Sequence, residues 1–417
     1  MKPALGSVAI QAAGSAATVG AALLVASTLG LAAQGQFGLL RSWNDALVTL
    51  AVLGLPQGLL HLQYREAVPV VALRAWVMRY VFALAAVCAL IAAGLWLALP
   101  AGPLFGVLPP ATFAVLAATV PLAAAHMLWR SLALRESGQL AYAAITALPA
   151  LLIVALLVPV CLAGEATGLV WTLFASAAVS AGVSGALVAR AARRSVGTSA
   201  QPAWSRATLW SVGVETAAQS VLTAAGPALL LSTVGWLGAP LAEVGAVSLG
   251  MHVYQLFGVA AAYVAPMVYD RAAQAVHAVR VDELMVWLRA RITLSHGLLA
   301  VALAAVALVL LRWLWPAGAN SLALLSLMAL AGVLSMGVRV LVTLMLARGA
   351  FRPLSVQALV RVLVTTGATA VLMQRAPATL AGPLALVGTE ALMGVWLLRS
   401  LRQGDALAAA ATGAASS

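Results

Sequence analysis

Apolar runs long enough to cross a bilayer recur along the whole chain, separated by short stretches rich in arginine, proline and glycine. A spanning helix needs roughly 20 mainly apolar residues to cover about 30 Å of hydrocarbon. Such runs occupy residues 8–31, 38–62, 76–99, 111–131, 139–163, 167–190, 207–236, 241–268, 287–311, 320–346, 354–374 and 380–400. The pattern predicts an all-α polytopic membrane protein with twelve transmembrane helices and both termini on one side. The first run follows Lys2 and ends near Leu31-Ala32-Ala33, as a secretory signal would. It exceeds the roughly 7–15 residues of a signal's apolar region and is interrupted by Gln11 and Ser15, so it reads as a retained first span.

Composition agrees. Hydrophobic residues make up 64% of the 417 positions and charged residues 8%, against about 45–50% and about 25% in soluble domains. A soluble globular protein is excluded. The net charge of +12, from 23 basic and 11 acidic residues, is a topology signal. Placing the N-terminus in the cytoplasm collects Lys2 and most of the arginines, from Arg65 to Arg402, on one face, and that excess of basic residues marks the cytoplasmic side. The opposite face keeps Arg312, Arg375 and the border residue Arg41, while Arg339 and Arg361 fall inside spans. No basic cluster suits nucleic acid. Lys2 is the one lysine, which excludes a Walker A nucleotide site and Schiff-base chemistry. Cys88 and Cys161 have neither disulfide-framework nor metal-ligand spacing. No cofactor or metal is expected, and transport would draw on a proton, on sodium or on the membrane potential.

The chain reads as two related halves: an N-terminal lobe of six spans over residues 1–192, a polar cytoplasmic linker over 193–206, a C-terminal lobe of six spans over 207–402, and a disordered tail over 403–417. Ser7, Gln11 and Ser15 of the first span match Ser211, Glu215 and Gln219 of the seventh, each series stepping by four along one helical face. Gln36-Phe37-Gly38 of the second span matches Glu243-Val244-Gly245 of the eighth. Parallel six-span repeats are a plan used by transporters that rock one half against the other around a midplane site.

The segment Ala33-Gln34-Gly35-Gln36-Phe37-Gly38-Leu39, its counterpart Ala242-Glu243-Val244-Gly245-Ala246 and the six-plus-six plan resemble the multidrug/oligosaccharidyl-lipid/polysaccharide (MOP) exporter superfamily, and within it the Wzx-type polysaccharide (O-antigen) flippases. Residues 33–39 look like that family's turn after the first span, with Gln36 and Phe37 standing where the family often has Glu and Tyr. The resemblance implies a bacterial inner-membrane protein that moves undecaprenyl-pyrophosphate-linked oligosaccharides by alternating access, for surface polysaccharide and lipopolysaccharide assembly. It also implies a cavity lined by spans 1, 2, 7 and 8, and as partners the lipid-linked glycan, the bilayer and other polysaccharide-assembly proteins, with no nucleotide or nucleic acid.

Arginine near the bilayer centre costs about 2.5–3.5 kcal/mol on insertion scales, so Arg339 and Arg361 need a reason to be there. Guanidinium groups bind phosphate bidentately, and these two with Arg41 are candidates for the pyrophosphate. The alternative is a structural ion pair, for instance with Glu390. Gln11, Ser15, Gln219, His252 and Gln255 are candidates to line the cavity. Glu215, with no basic residue within a turn, and Asp45 are candidates for ion coupling; a pair between Asp45 and Arg41, four residues earlier, is the structural alternative. The competing function is an ion-coupled exporter of small cationic drugs in the same fold, against which the second-lobe arginines argue. A membrane-embedded glycan enzyme would need an aqueous domain or a long external loop, and the pattern has neither. Residues 270–291 read as an amphipathic cytoplasmic connector.

Overall fold

The computed structural model describes residues 2–64, 66–98, 110–194, 205–274, 283, 286, 321–347 and 351–414. Its regular elements are α1 (Lys2–Thr28), α2 (Gly30–Val52), α3 (Leu55–Tyr64), α4 (Val70–Ala98), α5 (Pro110–Ala163), α6 (Gly168–Arg194), α7 (Arg206–Trp236), α8 (Leu241–Gln274), α9 (Ser321–Ala347), α10 (Phe351–Leu372) and α11 (Ala378–Ala414). Helix alone among the described residues is what lipid demands, because a helix satisfies each backbone N–H and C=O within its own segment. Among these residues nine helical stretches are long and apolar enough to span a membrane, or ten if the bent pair α2–α3 is one span. The protein is thus a multi-pass membrane protein.

Every predicted run except 287–311 overlaps a described helix. That run lies outside the described residues, as do most of the linker 193–206 and most of the connector 270–291. α5 carries two predicted spans, joined at Gly138, whose φ of 79° breaks the helix. α11 continues to Ala414, into the tail expected to be disordered, through a run of alanines, the residue with the highest helix propensity.

The chain divides into two compact units, Met1–Leu249 and Gly250–Ser417, with the boundary inside α8. In the first unit α5 packs against α6, α1 and α4, and α7 lies along α2 and α3. The core gathers Leu55, Leu59 and Leu62 of α3, Leu73 and Val77 of α4, Leu128 and Leu132 of α5 and Leu209 of α7. α4 leaves Phe82, Leu90 and Leu97 exposed, as a lipid-facing helix does.

The sequence predicts one straight span over 38–62, and the structure bends it by 47° between α2 and α3. Leu53 and Gly54 both take left-handed φ values, 43° and 70°. The reason is a close approach: a methyl group on Gly54 would overlap the Gly213 carbonyl oxygen of α7, and one turn on, Gly58 makes room for the Leu209 carbonyl. Pro56 then sits in the first turn of α3, where its missing N–H leaves no bond unmade. Gly54→Ala meets both a backbone penalty, about 1–2 kcal/mol for a left-handed residue with a side chain, and the overlap. It should lower the melting temperature of the detergent-solubilised protein clearly, whereas Gly94→Ala, with open space around it, should leave it unchanged.

A second correction concerns residues 33–39, expected as a turn. They are the first turns of α2, which starts at Gly30. Gln34 and Gln36 suggest a loop by composition, but Gln34 is buried and donates its Nε2 to Ser248 Oγ of α8 at 3.3 Å. Gly35 and Gly245 meet reciprocally: a methyl on Gly35 would overlap the Leu241 carbonyl oxygen and crowd Gly245 N, and one on Gly245 would overlap the Leu31 carbonyl oxygen and crowd Gly35 N. The pairing joins Gly35 to Gly245, whereas the sequence matched Gly38 with Gly245. Three residues is nearly one helical turn, so both registers put glycine on the same face and sequence alone does not choose between them.

In the second unit α11 packs against α9 and α10. Its core holds Val338, Leu344, Leu354, Met393 and Leu397. Gly250 and Gly332 admit Met328 and Phe257 side chains respectively, drawing α8 and α9 together.

Candidate functional site

The second unit carries a charged cluster in the middle of its helices. With a rise of about 1.5 Å per residue, Arg339 lies about 12 Å from the end of α9 and Arg361 about 15 Å from the start of α10. By the same measure Glu390 is about 18 Å into α11 and Tyr254 about 20 Å into α8. All four are deep within a hydrocarbon layer of about 30 Å. Each therefore needs a partner, and the structure supplies them from different helices.

Arg361 Nη2 donates to Glu390 Oε1 and to the Tyr254 hydroxyl. Glu390 is fully buried, and the Arg361 side chain keeps 20% of its surface exposed. The structural alternative of an Arg361–Glu390 ion pair is therefore present. The Tyr254 hydroxyl has one hydrogen, which goes to Glu390 Oε1 at 2.6 Å. In the 3.0 Å contact between Tyr254 and Ser335 the serine must then donate. Ser335 Oγ in turn accepts from Arg339 Nε at 3.4 Å. A one-way chain of hydrogen bonds thus runs from Arg339 through Ser335 and Tyr254 to Glu390, and it ties both arginines to one carboxylate.

The two guanidiniums are not equivalent. Among the described residues no carboxylate lies within ion-pair distance of Arg339. Its guanidinium rests against Gly258, one turn beyond Tyr254, where a methyl group would collide with it. With Arg361 matched by Glu390, Arg339 leaves the cluster one positive charge in excess. Among the described residues three buried polar atoms of the cluster have no hydrogen-bond partner: Glu390 Oε2, Gln357 Nε2 and Thr389 Oγ1. Gln357 stands one turn before Arg361 and Thr389 beside Glu390 in sequence.

Tyr254 and Gly258 escaped the sequence reading, which took His252 and Gln255 of that span as cavity candidates; Ser248 stands one turn before His252. Ser248 and His252 are buried and Gln255 is exposed, so the three do not share one environment. A tyrosine inside an apolar run was the available signal, since a buried hydroxyl needs a partner.

The first unit places the remaining candidates. Arg41 was read as a border residue; because α2 starts at Gly30, it lies about 16 Å into the helix, at mid-depth. Arg41 Nη2 donates to Thr18 Oγ1 of α1 at 3.1 Å, and its buried Nη1 has no hydrogen-bond partner among the described residues. Asp45 stands one turn further along α2 with its side chain exposed. Gln11 is exposed, Ser15 is bonded back to the Gln11 carbonyl at 3.1 Å, and Gln219 is half-buried on α7. The Glu215 side chain lies outside the described part of the structure. Trp43 Nε1 donates to Ser232 Oγ at 2.9 Å, joining α2 to α7.

No protein-family model and no curated protein matches the chain. Solved structures match it over nearly its whole length. An inward-facing multidrug resistance MATE family transporter of the MOP superfamily aligns with a TM-score of 0.67 at 13% identity, covering 95% of this chain and 99% of that one. An outward-facing transporter of the same description aligns at 0.62 and 14% identity, over 96% and 93%. A MOP superfamily transporter from Pyrococcus furiosus, described as having a binding pocket of reverse polarity that suggests a different function, aligns at 0.55 and 13% identity, over 96% and 94%. The chain has the fold of these MOP superfamily transporters, and its fold neighbours are transporters rather than enzymes.

Proposed function

We propose that this protein is a bacterial inner-membrane flippase that moves pyrophosphate-linked oligosaccharides outward by alternating access of two six-span lobes, residues 1–192 and 207–402. The observation that carries the proposal is the positive excess of the membrane-depth cluster, in which Arg339 has no carboxylate of its own among the described residues. A cationic drug would be repelled there; a pyrophosphate diester, with two negative charges, would be held by charge-assisted hydrogen bonds. The Pyrococcus protein of the same fold offers a precedent for a pocket of altered polarity. The membrane potential favours export: net negative charge leaving an inside-negative cell releases about 2.3 kcal/mol per charge per 100 mV. The glycan, its prenyl carrier and neighbouring polysaccharide-assembly proteins are the partners, and no nucleotide takes part.

Complementation of a flippase-null strain tests this. Arg339→Ala should reach the membrane at the normal level and fail to export polymer, while Arg339→Lys, which keeps the charge but loses the guanidinium fork, should export partially. Full export by Arg339→Ala would overturn the anion reading.

A second reading, an ion-coupled exporter of cationic drugs, has Asp45 in its favour: a mid-depth carboxylate with an exposed side chain. Drug-resistance assays of Asp45→Asn separate the two. Loss of resistance with polymer export intact would favour the drug exporter.

A further inference from the structure

Glu390 is the buried carboxylate on which the cluster converges. It is an anion held by Arg361 and by the end of the Arg339–Ser335–Tyr254 chain, fully buried, with Oε2 unpartnered among the described residues. Resting on the anion-site reading above, we infer that Glu390 is an internal counter-anion that competes with the phosphate for Arg361 and gives way to it by taking up a proton.

The charges balance in both states. Empty, the cluster holds two guanidiniums and one carboxylate, a net single positive charge. A pyrophosphate diester added to an ionised Glu390 would leave one uncompensated negative charge at mid-depth, a costly arrangement. When Glu390 Oε2 instead binds a proton from the water on the open side, Arg361 turns from the carboxyl to the phosphate and the loaded site is neutral. When the anion leaves, the proton returns to water and Arg361 closes again on Glu390. Tyr254 keeps a partner throughout, because its hydroxyl can donate to either form of the carboxyl group.

The groups around Glu390 on the packed elements are consistent with this. α9 contributes Arg339, α10 contributes Arg361 and α8 contributes Tyr254, while His252, two residues before Tyr254, falls on the opposite side of α8. Among the described residues Glu390 is the acid of the cluster. Binding one proton with each anion makes affinity depend on pH, by linkage, with a slope of up to tenfold per pH unit. Affinity rises as pH falls.

The experiment uses the full-length protein in detergent and a farnesyl-diphosphate-linked N-acetylglucosamine, whose diester charge stays constant from mildly acid to mildly alkaline pH. Wild type should bind more tightly at lower pH. Glu390→Gln should bind more tightly than wild type at alkaline pH and lose the pH dependence, and Tyr254→Phe, with a weakened hold on Glu390, should move the same way by less. If binding needs Arg339 yet both variants keep the wild-type affinity and slope, the counter-anion role is overturned while the anion site stands. If wild type does not bind the probe, or Arg339→Ala binds it equally well, the anion site itself fails and the inference with it. Should Glu390→Gln not fold, Tyr254→Phe decides on the same readout: unchanged affinity together with unchanged slope overturns the role.

Discussion

Replacing either Arg361 or Glu390 alone by alanine is expected to cost about 3–5 kcal/mol of stability, because each replacement strands the opposite charge inside the protein. Glu390 is fully buried and Arg361 four-fifths so, which leaves little water to rescue the survivor. Both variants should unfold at clearly lower temperature in detergent. The double variant Arg361→Met with Glu390→Leu removes both charges and keeps the volumes, and should recover most of the loss, since well-packed apolar replacements of a buried ion pair are often neutral. Tyr254 then still holds its bond with Ser335. The double variant should nevertheless fail to export polymer, because one of two guanidiniums is gone. Single variants with unchanged melting temperature would mean that the pair is hydrated, and a double variant with normal export would mean that Arg361 is scaffold alone.

The helices were legible because lipid contact imposes unbroken apolar runs, and such runs need no long-range information. What the sequence concealed depends on contacts between distant residues. Gln34 looks like a loop residue until Ser248 is found beside it, so the start of α2 was placed eight residues late and Arg41 was taken for a border residue. The bend at Leu53–Gly54 is hidden for the same reason, since it answers to Gly213 on another helix. The charged cluster was half legible. Arg339, Arg361 and Glu390 stand out by their cost at mid-depth, whereas Tyr254 carries no charge and Gly258 no side chain, so neither announces the contact it makes.

The contact between Gly35 and Gly245 should tolerate no side chain on either partner. Gly35→Ala or Gly245→Ala puts a methyl group onto backbone atoms of the opposite helix, and backbone has no rotamer with which to move aside. Overpacking typically costs about 1–3 kcal/mol, and this contact belongs at the top of that range, because small residues at a membrane helix crossing set the distance at which the helices meet. The crossing also carries Gly38 against Ser248, and Ser248 accepts from Gln34. Separating α2 from α8 therefore strains a buried hydrogen bond as well as the packing. The reciprocal geometry makes a stricter prediction than the single variants do. Once one methyl group has forced the helices apart, the gap accommodates the second at little extra cost, so the double alanine variant should be destabilised by much less than the sum of the singles. Residues sharing one contact depart from additivity in this way. Additive losses in thermal unfolding would show that the two glycines act at separate places.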